Sequence, residues 1–202
     1  MKRIIALYSH QRECCKTSTA VNLALLFMRI GKSVGVVSSE SPLDSNFEGE
    51  LLVRRPDEDL DPLPAWELAL DDVLQTRVMV LLDGPPAGLL SRSTDVILVC
   101  DPLQEGALRA LAEAELDVIE ALVLSPDTRV LGVLMTRTDR DLALFEDALV
   151  EVESNLPFEV FPFSVPDKKS LSSGDPRVVL SDPASRQARG YIELSMEILS
   201  HE

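Results

Sequence analysis

The sequence predicts a doubly wound α/β fold, a mostly parallel sheet with helices on both faces. Three observations lead there. Hydrophobic residues make up 46% of the 202 residues and aromatics only 4%, so the core is aliphatic. Runs such as VMVLLD (78–83) and DVILVCDP (95–102) are nearly continuous apolar stretches rather than alternating ones, as strands buried on both faces are. These runs alternate with helix-length segments bounded by polar turns, the order of a βαβ chain. The length suits one core rather than two, and one domain is expected over 1–202.

The elements follow in order. Residues 3–8 (RIIALY) read as the first strand and SHQRECC as the loop after it. From Lys16 to Ile30 apolar residues cover most faces, which predicts a helix held between the sheet and another layer. Gly31 ends it in a C-cap position. Residues 33–37 (SVGVV) read as the second strand. The stretch Glu40–Ala65 is acidic and holds Pro42, Pro56, Pro62 and Pro64; it reads as a long surface loop with a short helix near 47–53. Trp66–Gln75 reads as an amphipathic helix. Strands are expected at 78–83, 95–102, 129–136 and 159–166, with helices over Gln104–Leu124 and Leu142–Asn155 between the later ones. A last helix starts at Asp182 or Ser185 and ends near Leu199.

Charge and cysteines narrow the function classes. The net charge is −15, which disfavours nonspecific DNA binding by the whole surface. The acids are unevenly spread: Glu40 to Asp72 holds 11 acids and 2 bases. Lys2, Arg3, Arg12, Arg29 and Lys32 leave the N-terminal stretch positive, as Lys168, Lys169, Arg177, Arg186 and Arg189 do near the C-terminus. Each group is either a basic patch or part of a mixed solvated surface. Cys14, Cys15 and Cys100 make no disulfide framework. The adjacent pair could serve metal or redox chemistry, but His10 is the single nearby partner, and reduced structural thiols are the expectation. No apolar run reaches the ~18 residues of a membrane helix, and the apolar start is too brief for a signal peptide. A cytoplasmic protein is expected.

The chemistry concentrates in HQRECCKTSTAVNLA, the loop and helix start after the first strand. In such sheets that junction is the usual phosphate site. Lys16-Thr17-Ser18 has the ending of a P-loop, in which the lysine meets the β and γ phosphates and the next hydroxyl holds Mg2+. The run KTSTAVNLAL followed by GKSVGVV resembles the start of the ParA/MinD/Soj family of partition and positioning ATPases, which opens with the deviant Walker motif K-G-G-x-G-K-T-T-x-A-x-N-L-A. VMVLLDGPPAGLL (78–90) resembles the family's Walker B strand. DVILVCDPLQEGALRAL, LGVLMTRTDRD, VFPFSVPDKKSLSSGDP and VVLSDPASRQARGYIELSMEIL resemble its later blocks.

The departures from that pattern are concentrated in the phosphate loop. Gln11 stands where the resemblance places the signature lysine, and Arg12, Glu13 and Cys15 stand at three glycines. Glycines let a loop fold its N–H groups inward at positive φ, and a side chain in that conformation costs roughly 1–2 kcal/mol. The loop is therefore expected to take another shape. Ser38 stands at the aspartate that the family ties to water activation. Lys16, Thr17 and Ser18 remain for phosphate, and Thr17 and Asp83 for Mg2+. Asp83 is equally readable as a strand-terminal cap. Asn22 is expected to brace nearby loops. Thr136, Asp139 and Pro166 lie where the family shapes its adenine pocket. Two readings are open for the helix start: Glu13 folds over it and pairs with Lys16, or water and a Ser18 or Thr19 hydroxyl satisfy it.

The resemblance and its departures thus imply a ParA-like partition or positioning protein, a pseudo-ATPase acting through protein contacts, with ATP and Mg2+ as the cofactors in question. The alternative is a weak ATP binder that hydrolyses slowly; a redox sensor using Cys14-Cys15 is a third reading. Expected partners are a second copy or a ParA-family or adaptor protein. Weak DNA binding is assigned to Lys168, Lys169, Arg186 and Arg189, where the family carries basic residues.

Overall fold

The computed structural model describes residues 2–39, 51–138, 142–166 and 177–201. Seven strands form one wholly parallel sheet: β1 (Arg3–Tyr8), β2 (Val34–Ser38), β3 (Leu52–Arg54), β4 (Met79–Asp83), β5 (Asp95–Cys100), β6 (Arg129–Thr136) and β7 (Val160–Val165). Their order is β3-β2-β4-β1-β5-β6-β7. The helices are α1 (Lys16–Arg29), α2 (Pro62–Thr76), α3 (Ala107–Leu124), α4 (Leu142–Asn155), α5 (Val178–Ser181) and α6 (Arg186–Ser200).

Side-chain alternation along β1 divides the core in two. Ile5 and Leu7 face a cluster built on α1, α5 and α6. Ile4, Ala6 and Tyr8 face a cluster built on α2, α3 and α4. The near-continuous apolar strands are thus explained by a sheet covered on both faces. The apolar α1 fits too: Leu23, Ala24 and Phe27 are fully buried, and burying side chains of Leu or Phe size is worth about 1.5–3 kcal/mol each.

The differences from the sequence reading are local. The short helix expected near 47–53 is not formed at its described end, because residues 52–54 are β3, paired with β2 from Gly35↔Leu52 to Val37↔Arg54; residues 40–50 lie outside the described residues. Helix α2 starts at Pro62, four residues before Trp66, because Pro62 occupies a first-turn position, where its missing N–H has no intrahelical duty. A 3-10 helix at Ala87–Arg92 and the short α5 were not anticipated. Ser185 is the cap of the last helix, its side chain accepting from the Ala188 N–H.

Order across the sheet fixes the site. β1 is flanked by β4 and β5, so consecutive strands diverge to either side of it, and ligands in open α/β sheets bind at such a crevice beyond the carboxyl ends. On the far side, α6 lies against β7 through Gly190. A Cβ there would sit 2.5 Å from the Ser164 carbonyl oxygen. Gly190→Ala is expected to cost about 1–3 kcal/mol by overpacking, read as a lower urea midpoint; an unchanged midpoint would contradict the close approach.

Candidate functional site

The loop leaving β1 turns into α1 over the carboxyl ends of the strands and encloses a cleft of about 770 Å3, lined by residues 9–18, Gly84 and Arg137. The sheet register delivers further groups to this end: Leu7 pairs with Asp83 across β1 and β4, and Ser38 with Asp83 across β2 and β4. Thr136 ends β6 beside Cys100 of β5, its hydroxyl donating to the Cys14 carbonyl at 3.2 Å and the Cys100 carbonyl at 3.1 Å.

Gln11 does not face the cleft as a phosphate ligand would. Its side chain is buried. Its amide nitrogen donates to the Asp101 carbonyl at 3.0 Å, and its amide oxygen accepts from the Asp101 N–H at 2.9 Å. The pair staples the loop to the chain just beyond β5. A neutral amide can pair with both backbone groups of one residue, whereas a lysine ammonium carries donors only. Lys16 in turn folds back over the loop, its amine donating to the Gln11 carbonyl at 2.6 Å and lying 3.5 Å from Cys14 Sγ.

Two expectations need correction. Glu13 does not pair with Lys16: it is exposed, and the lysine has the Gln11 carbonyl, an uncharged acceptor inside the loop. Nor does the loop abandon the glycine conformation. Glu13 and Cys15 hold φ of 57° and 68°, at two of the positions where glycine was expected. Buried Cys14 between them, the Gln11 staple and the Thr136 hydroxyl hold the backbone in place. At about 1–2 kcal/mol for each left-handed side chain, these contacts must offset a few kcal/mol.

Cys15 is the N-cap of α1, and no side chain caps that helix start. The Thr19 hydroxyl turns back to the Cys15 carbonyl at 2.8 Å instead. Thr17 and Ser18 are half-buried on the cleft wall. Asn22 joins α1 to α5: its amide donates to the Ser18 carbonyl at 2.7 Å and accepts from the Val179 N–H at 3.0 Å. Asp83 is buried, and one carboxylate oxygen accepts the Ser38 hydroxyl at 2.7 Å. Pro166 is buried after β7. Asp139, Lys168 and Lys169 lie outside the described residues. Arg186 and Arg189 are exposed on α6, three residues apart and so on neighbouring surface.

Some groups went unnoticed in the sequence. Arg137 lines the cleft with φ of 57° and lies 3.4 Å from Asp101. Its one sequence signal was its place after a strand end. At the loop's start Tyr8 donates to Asp117 Oδ2 at 2.5 Å, and His10 Nε2 is 2.6 Å from the same oxygen. Burial, then the Asp117 hydrogen bond and charge, hold the Tyr8 phenol well above its usual range. The three cysteines are free thiols, and among the described residues no group of three or more His, Cys, Asp or Glu could hold a metal ion.

Two predictions follow from the loop and its neighbours. Cys15→Gly removes a left-handed side chain, worth about 1–2 kcal/mol, against about 0.5–1 kcal/mol of added chain entropy. A net stabilisation of about 0.5–1 kcal/mol is expected in urea unfolding, and destabilisation would show that Cys15 contributes more than it strains. The second concerns Cys100, whose thiol is pushed up to about 12, by burial first and then by Cys14 and Asp101. The unfolded chain sheds that proton from its ordinary 9.0 upward while the folded chain keeps it. Its contribution is complete below pH 9.0 and falls as pH rises toward about 12. Cys100→Ala is expected to flatten that alkaline slope of urea midpoint against pH.

Comparison with known proteins adds to this geometry. No protein-family model matches the chain. The chain is 26% identical to the sporulation initiation inhibitor protein Soj of Bacillus subtilis (strain 168), over the full length of both. Among solved structures, cobyrinic acid a,c-diamide synthase of Mycobacterium smegmatis with bound ADP and magnesium superposes with a TM-score of 0.73 at 18% identity, covering 100% of this chain and 95% of that one. The MinD cell division protein of Aquifex aeolicus superposes with a TM-score of 0.73 at 15% identity, covering 99% and 98%.

Proposed function

We propose, for a chain that belongs to the ParA/MinD family, that it is a single-domain cytoplasmic partition or positioning factor that has given up ATP turnover and acts through protein contacts. One observation carries this reading: the phosphate-loop lysine and the residue at the signature-lysine position are both engaged inside the protein. Lys16 donates to the Gln11 carbonyl, and the Gln11 side chain is buried on Asp101. Phosphoryl transfer relies on positioning and electrostatic stabilisation. A buried amide supplies neither a charge to a neighbouring subunit nor a reach beyond its own loop. Ser38 supplies a hydroxyl donor where a carboxylate would position water, and that donor is committed to Asp83.

The residues still fit a bound Mg2+-nucleotide better than they fit its hydrolysis. The α1 start offers N–H groups without a side-chain cap, the loop keeps left-handed turns at Glu13 and Cys15, and a 770 Å3 cleft lies in the usual size range of ligand sites. Lys16 and the first-turn N–H groups would hold phosphate oxygens; Thr17 and Asp83 would hold Mg2+. The metal would neutralise phosphate charge there. Lys16 must first leave the Gln11 carbonyl, which weakens any such binding. This favours, as a second reading, a weak ATP binder with slow hydrolysis.

Protein contacts have support on the surface. Leu116, Ile119 and Val123 of α3 are exposed at helical spacing, an apolar stripe suited to a second copy or an adaptor. Arg186 and Arg189 are the described candidates for weak DNA contact. Titrating ATP·Mg2+ with thermal-shift and phosphate-release readouts tests the proposal. Phosphate release is expected to equal that of Asp83→Ala. Release that falls on the order of 10²-fold or more in Lys16→Ala would replace the proposal by the second reading. Stabilisation without release, lost in Lys16→Ala, marks nucleotide as a structural ligand.

A further inference from the structure

The opposite end of the sheet carries a second cavity that the phosphate-loop cleft does not explain. It measures about 680 Å3 and opens where β1, β5 and β6 begin. Lys2, Arg3, Lys32, Arg92 and Arg129 line it, and among the described residues Asp127 is the one lining carboxylate. Beneath them Asp95 is fully buried. Its Oδ2 lies 2.7 Å from Arg3 Nε and its Oδ1 2.6 Å from Arg129 Nη2. One buried carboxylate thus stands between two guanidiniums. Thr94 donates to Asp95 Oδ2 at 2.9 Å, fixing the carboxylate between its partners.

A protein of net charge −15 gains nothing for solubility by gathering five cations around one concavity. Arg92 reaches Asp71 at 2.6 Å, and Lys2 donates to the Leu74 carbonyl, so both belong to the rim. Arg129 also donates to the His201 carbonyl at 2.9 Å, which holds its guanidinium plane in place. Guanidinium forks held in this way match the oxygens of phosphate. Ser93 is the independent sign of a ligand. Its hydroxyl oxygen is buried on the same wall with no hydrogen-bond partner, and a buried polar group is normally satisfied. An acceptor entering the cavity would satisfy it.

We propose that this cavity binds a small polyanion of the phosphate class, from pyrophosphate to a nucleotide in size. Its volume is that of an ordinary small-ligand site. The site shares no residue with the cleft at the other end, so it stands or falls apart from the proposed function.

Calorimetric titration of magnesium-free pyrophosphate into the full chain tests it. Arg3 and Arg129 are left in place, since removing either would strand Asp95 as a buried charge. The variants are Lys2→Glu combined with Lys32→Glu, Ser93→Ala, and Lys16→Ala at the other end. Saturable binding is expected in the wild type, weakening with added salt. The double charge reversal is expected to weaken it at least about tenfold, and Lys16→Ala to change it less than about twofold. Ser93→Ala is expected to weaken it by a smaller factor with the salt dependence unchanged. Absence of heat, or binding lost in Lys16→Ala and kept in the double variant, overturns the proposal. So does duplex DNA that displaces pyrophosphate from the wild type and no longer binds the double variant, because the face then reads nucleic acid.

Discussion

β1 is hydrogen-bonded on both edges, to β4 and β5, and buried on both faces by two separate helical layers. The chain that leaves Tyr8 must therefore turn within a narrow space over the carboxyl ends of three strands before α1 can begin. Everything at the candidate site descends from that constraint. Gln11 satisfies it by pairing with both backbone groups of Asp101, so a side chain performs the work of a short strand pairing. Thr136 and Cys14 close the loop from the β6 side. With those ties made, Glu13 and Cys15 are held at positive φ whatever their own preference.

Two functions of a phosphate loop are separable in this light. Its shape is kept by contacts beneath it, whereas its chemistry depends on the groups above it. Here the contacts beneath are extensive, and polar groups at the cleft are engaged within the protein. Lys16 is held by a carbonyl of its own loop, and Asp83 by a serine hydroxyl.

Much of the fold was legible in the sequence because its physics is local. The apolar runs at 78–83 and 129–136, the α1 stripe and the Ser185 cap each follow from side chains close together in the chain. β3 was not legible: three residues, Leu52 to Arg54, are strand only because the β2 edge is there to pair with. At the site, the residue types at 11, 13 and 15 pointed to a loop of another shape, and that expectation failed because backbone shape does not follow from residue type alone. Glu13 and Cys15 keep the glycine conformation because Asp101 and Thr136, about 90 and 120 residues away in the chain, are placed by the sheet. The role of Gln11 was invisible for the same reason. Arg3, Asp95 and Arg129 are likewise scattered in sequence and adjacent only because parallel strands begin at one end.

The hydrogen bond from Ser38 to Asp83 limits what position 38 can hold. Both residues are buried, and they sit as register neighbours on β2 and β4. An aspartate at 38 would face a second carboxylate at hydrogen-bond range in a buried place. Two such groups cannot both ionise, so one would take up a proton or the pair would need a cation already in residence. Ser38→Asp is therefore uphill unless a compensating positive charge comes with it.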